Sequence, residues 1–93
     1  MIQSSATVPT PNAGRSVAQL CTHFAPKVEV VEKNGGGEIR FSCGTAHLDA
    51  LPDRLLISVT SPTDAELADT KDVVERHLLR FAFREEIGPL GWA

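Results

Sequence analysis

The chain reads as an α+β two-layer sandwich: an antiparallel sheet of four to five strands with two helices packed on one face, in the order β-α-β-β-β-β-α. Three observations predict it. Leu67, Val74, Leu78 and Phe81 recur at helical spacing near the C-terminus, and Val17, Leu20, Cys21 and Phe24 do so near the N-terminus. Between them, apolar residues return at every second position from Val28 to Val59, interrupted by turn sequences. Strands apolar on one face need a cover, and two helices apolar on one stripe provide it.

Taken in order, Ser4 to Val8 alternates weakly and reads as a short edge strand stopped by Pro9. Thr10 and Pro11 form a cap-plus-proline start for a helix over 11–24, which Pro26 ends by driving the residue before it out of helical geometry. Val28 and Val30 open a strand, Asn34-Gly35-Gly36-Gly37 supplies positive backbone angles for a hairpin, and Ile39 and Phe41 return along one face. Cys43-Gly44 marks a bend, after which Ala46, Leu48 and Ala50 alternate with His47 and Asp49. Leu51-Pro52-Asp53-Arg54 fits a tight turn before the strand of Leu55, Ile57 and Val59. A long helix then runs from Ser61 to Glu86, with Ser61 as its cap, Pro62 at the first position and Asp64 as the capping acid. Its acids, Asp64, Glu66 and Asp69, precede its bases, Arg76, His77, Arg80 and Arg84, each sign at the end of the helix dipole that favours it. The Gly- and Pro-containing tail Ile87 to Trp92 reads as an extended segment laid on the body and anchored by Trp92.

The 93 residues, 42% of them hydrophobic, suit a single domain over 1–93. A formal charge of −3 argues against a nucleic-acid binder, whose affinity comes from neutralising phosphates. With no membrane-length apolar run and no secretory signal, the expectation is a cytoplasmic protein without membrane insertion. Cys21 and Cys43 lack the spacing of a zinc module or a disulfide scaffold and read as reduced thiols.

LCTHFAPK at Leu20 to Lys27, the EIRF and HLDA strand segments, and RHLLRFAFREE at Arg76 to Glu86 followed by Trp92 together resemble small bacterial proteins grouped as domain of unknown function family 2218. The resemblance covers nearly the whole length, and its most specific parts are Cys21-x-His23-Phe24 and the run His77, Leu78, Arg80 to Glu85. Pro26 and the Gly88 to Gly91 tail depart from the family pattern. The resemblance implies an iron-uptake or siderophore context without implying an activity.

Four groups of residues carry candidate chemistry. His23 and His77 flank the two apolar stripes and would approach one another if the helices packed side by side and antiparallel, with Cys21 as a third candidate metal ligand. The competing account makes both histidines helix-end residues and Cys21 a small buried hydrophobe. Arg76, Arg80 and Arg84, with His77, lie on one flank that would hold an anion or an acidic partner, against an account of dipole compensation and pairing with Asp72, Glu85 and Glu86. His47 and Asp49 face the solvated side of the sheet as the polar half of an alternating strand. The NGGG turn lacks the Lys-Ser/Thr of a phosphate loop. No complete nucleophile, base and orienter set is present, so the sequence favours a non-enzymatic interaction or ligand-binding module, for a protein partner or a small anionic ligand, over an iron-linked accessory protein or metal-binding enzyme using His23 and His77. No cofactor is expected. Homodimerisation is compatible with the free edges of the sheet.

Overall fold

The structure, a computed structural model, describes residues 1–33, 35–81 and 90–93. Among these, the elements are β1 (Ile2–Pro9), α1 (Ala13–Phe24), β2 (Glu29–Lys33), β3 (Gly36–Arg40), β4 (Thr45–Ala50), β5 (Arg54–Ser61) and α2 (Asp64–Phe81). The strands form one antiparallel sheet in the order β1-β5-β4-β3-β2, so α1 carries the chain from one edge of the sheet to the other. α1 lies over β2, β3 and β4, and α2 over β5 and β1.

Period-2 patterning does its work in every long strand: Ser4, Ala6 and Val8 of β1, Ala46 and Leu48 of β4, and Leu55, Ile57 and Val59 of β5 all face the helices. From α1, Ala13, Val17, Leu20, Cys21 and Phe24 close onto them. From α2, Leu67, Val74 and Leu78 do the same, with Phe81 half-buried at the end of the stripe. Thr70, completely buried, occupies the same stripe although it is polar. It donates to the Glu66 carbonyl at 2.8 Å, and its oxygen lies 3.0 Å from Ser61 Oγ and 3.2 Å from Cys43 Sγ. These contacts tie α2 to the end of β5 and to the bend after β3.

The helix starts differ from the sequence expectation, for one shared reason. Ser61 belongs to β5, paired with Ile2, and its hydroxyl turns inward to Thr70. The cap of α2 is Thr63, two residues later, whose Oγ1 accepts the Glu66 N–H at 3.2 Å and whose hydroxyl donates to the Glu66 carboxylate at 3.2 Å. At α1 the Thr10 amide is drawn into the β1–β5 ladder by Asp53, and its hydroxyl accepts the Asn12 N–H at 3.0 Å. The helix therefore starts at Ala13 and not at Pro11. In both cases pairing within the sheet takes the first polar residue that local sequence offers as a cap.

Only Gly35 of the hairpin glycines has a positive φ, at 83°. Gly36 and Gly37 are strand residues, and a methyl on Gly37 would stand 2.8 Å from Cys21 Sγ, so that glycine lets α1 settle onto β3. Gly44 is tighter: a methyl would run into the Ser61 hydroxyl and stand 2.5 Å from the Thr60 carbonyl and from Thr70 Oγ1. At the C-terminus, Ala93 exchanges both backbone bonds with Ser5 on the outer side of β1, and Trp92 Nε1 donates to Glu75 Oε1 at 2.8 Å. Trp92 is thus an anchor, through Glu75 of α2. Residues 82–89, which hold the expected end of the helix and the start of the tail, lie outside the described residues.

Candidate functional site

His23 stands in the last turn of α1 and His77 in the C-terminal third of α2, and their ring centroids are 4.8 Å apart. His23 also meets Phe81 at 5.5 Å, while Phe24 meets His77 at 4.8 Å. Phe24 in turn packs edge-on against Phe41 at 4.9 Å. The two histidines meet, as side-by-side packing of the helices would have them do. Both stand toward the C-terminal ends of their helices, and the neighbouring aromatic residues Phe24, Phe41 and Phe81 surround the pair.

Immediate neighbours fix the chemistry of each imidazole. His77 Nδ1 lies 2.6 Å from the Val73 carbonyl, an atom that only accepts, so the neutral ring carries its proton on Nδ1 and its lone pair on Nε2. His23 is harder to protonate than an ordinary histidine, first through desolvation and then through the positive charge of His77, Lys27 and Arg80. Beside it lies a groove of about 380 Å³ lined by Arg15, Ala18, Gln19, Thr22, His23 and Phe81. Among the described residues no carboxylate lines it. Arg15 escaped the sequence reading because nothing near it in the chain marks it; its spacing of eight from His23, two turns on the same helix, was the available signal.

The other candidates separate. Cys21 does not join the histidines: it is buried beneath α1 against Gly37 of β3, about 200° around the helix from His23. Burial, and then the charge of Glu32, raises its thiol pKa. Among the described residues no group of three His, Cys, Asp or Glu side chains could hold a metal ion. Two imidazoles fall short of the four ligands of a closed zinc site, and the described residues do not form one. Arg76 is engaged by Asp72 at 3.3 Å, one turn away on the exposed face. Arg80 is exposed and acts on His23 through its charge. Arg84 lies outside the described residues.

On the open face of the sheet, His47 Nδ1 lies 3.3 Å from Glu38, and Glu38 and Glu29 both hold Arg40, at 2.6 and 2.8 Å. Arg40 therefore lowers the Glu38 pKa, chiefly by hydrogen bonding. This cross-strand network is a charge ladder on a solvated face, without an oxyanion donor, since the amides of the inner strands are spent on neighbouring strands.

A five-stranded antiparallel sheet with two helices on one face, and aromatic and imidazole rings where the helices meet, defines a small α+β protein of two layers. No curated protein matches the chain. The model of a bacterial family described as "Uncharacterized protein conserved in bacteria (DUF2218)" matches residues 5–92, and the chain belongs to that family. It is also similar to PA4090 from Pseudomonas aeruginosa, whose structure was determined by NMR: the two share 35% identity and a TM-score of 0.84 over 100% of this chain and 96% of that one. No helix among the described residues is long and apolar enough to cross a membrane.

Proposed function

We propose that the protein is a non-enzymatic binding module that takes a small anionic ligand in the groove beside His23, where α1 and α2 meet. The observation that carries this reading is the accumulation of His77, Lys27 and Arg80 charge around a half-buried His23, beside a groove with no carboxylate among the described residues that line it, in a chain that is acidic as a whole. An anion seated there relieves that repulsion and favours protonated His23, so binding and protonation strengthen one another. The groove is within the usual range of small-ligand sites, roughly 300–1,000 Å³. Phe81 and the His23 ring offer an apolar wall, and Arg15 offers a guanidinium fork. A non-enzymatic role is supported by the imidazoles themselves: His77 is tied to a backbone carbonyl, and among the described residues no hydroxyl or thiol is hydrogen-bonded to either ring.

The test is a two-dimensional NMR titration with acetate, inorganic phosphate and benzoate. Saturable shifts at Arg15, Thr22, His23 and Phe81, tighter at about pH 6 than at about pH 8 and lost in His23→Gln, support the reading. No saturable shift at millimolar concentration of any of the three overturns it. Stoichiometric iron or zinc in untagged protein, lost in His77→Ala, would replace it with an iron-linked accessory role.

A further inference from the structure

The two edges of the sheet are not equally protected, and the difference follows from which backbone groups point outward. Ser5 exchanges both bonds with Ala93, so the odd-numbered residues of β1 face away from β5. One of them is Pro9, which has no N–H to offer. The β1 edge is therefore partly paired and partly blocked. Carrying the alternation across the sheet, Phe41 donates to Gly44, which places the odd-numbered residues of β3 toward β4 and the even-numbered ones toward β2. Their partners Glu29, Val31 and Lys33 spend their amides and carbonyls inward. Val30 and Glu32 are left with backbone groups pointing out of the sheet.

The side chains of β2 are self-complementary about Val31. When a second β2 runs antiparallel alongside the first with Val31 on the twofold axis, Val30 of each copy falls opposite Glu32 of the other. These are the residues whose backbone groups face outward, so this register makes the ladder bonds. Val31 meets Val31 in the closer, non-hydrogen-bonded pairing, and Glu29 falls opposite Lys33 at both ends. Val31 and Met1 are the large hydrophobics left exposed among the described residues, Val31 at 37%. β2 has no proline, and its register with β3 runs without a bulge. Glu32 is placed least favourably, opposite an apolar residue, but it is exposed and keeps its water.

We infer that the β2 edge is a homodimerisation surface, on which a second copy of this chain adds its own β2 antiparallel about Val31 and extends the sheet across the twofold axis. A five-residue strand pair buries less than the roughly 1,200–2,000 Å² of a stable complex, so the dimer is weak and reversible. The occupant is another copy because the charge pattern, acidic at the first residue and basic at the last, complements itself only when reversed.

The experiment is sedimentation equilibrium of the full chain from micromolar to millimolar concentration, with amide shifts followed over the same range. A concentration-dependent dimer with shifts centred on 29–33 is expected. Glu32→Pro removes an N–H that faces outward and spares the β2–β3 ladder, and it should leave a folded monomer. Lys33→Glu should weaken association at least tenfold, and Glu29→Lys with Lys33→Glu should restore it. A monomer throughout the range, or a dimer that Glu32→Pro leaves intact, overturns the inference.

Discussion

Replacing Thr70 with valine keeps the shape of a completely buried side chain and deletes its oxygen, so the effect reads out the polar pin between α2 and the sheet. The Thr70 proton goes to the Glu66 carbonyl, which already accepts within the helix and loses little. The cost falls on Ser61, 1% exposed, whose hydroxyl faces Thr70 at 3.0 Å and is left without a partner. A stranded buried hydroxyl costs about 1–3 kcal/mol. Ser61→Ala alone leaves Thr70 bonded to Glu66 and should cost only about 0.5–1.5 kcal/mol. The double variant strands nothing, so its cost should fall short of the sum by about 0.5–3 kcal/mol. Urea denaturation of the four proteins measures this directly, and each kcal/mol should appear as about 4–8 °C in Tm for a domain of this size. Thr70→Val without measurable cost, or strict additivity in the double variant, would refute the assignment of the pin.

Gly44→Ala should cost about 1–3 kcal/mol, because its methyl meets the Thr60 carbonyl, a backbone atom of a central strand, and a denaturation curve will show it. Trp92→Phe keeps a ring in place and removes the donor to Glu75; it should cost about 1–2 kcal/mol and lower hydrogen-exchange protection at the Ser5 amide, whose acceptor is Ala93, more than in β4. His23 holds its proton less well folded than unfolded, so the unfolded chain binds more protons in the window below about pH 6.5, and stability should fall as pH drops through it. His23→Gln removes that slope. The depressed Glu38 pKa adds a second loss, as pH falls from its unfolded value, near 4.3, through its lower folded value, which Arg40→Gln should diminish.

Periodicity was enough to place the layers because burial is a property of faces. The alternation in β5 and the stripe Leu67, Val74, Leu78 each have one solution that hides apolar surface from water. Strand neighbours have no such local signature: β1 lies beside β5 although 44 residues separate the end of one from the start of the other, and nothing in either strand encodes that pairing. The cap of α2 was misplaced by two residues because Ser61-Pro62 and Thr63-x-x-Glu66 are both good starts, and the choice is made by the pairing of Ser61 with Ile2. Thr70 was hidden by its polarity, although it lies three residues after Leu67 and four before Val74 on the buried stripe. That His23 and His77 meet was legible only on the condition that the helices pack side by side; that Cys21 turns to β3 and Arg15 to the groove depends on how the helices lie on the sheet.

The surroundings of the two imidazoles are most directly tested by the nitrogen resonances of His23 and His77 followed through a pH titration. Neutral His77 with its proton on Nδ1, and His23 titrating below an ordinary histidine but moving back up when Arg80 is replaced by glutamine, is the predicted result. His77 in the Nε2–H form, or a His23 that titrates at the ordinary value regardless of Arg80, would contradict it.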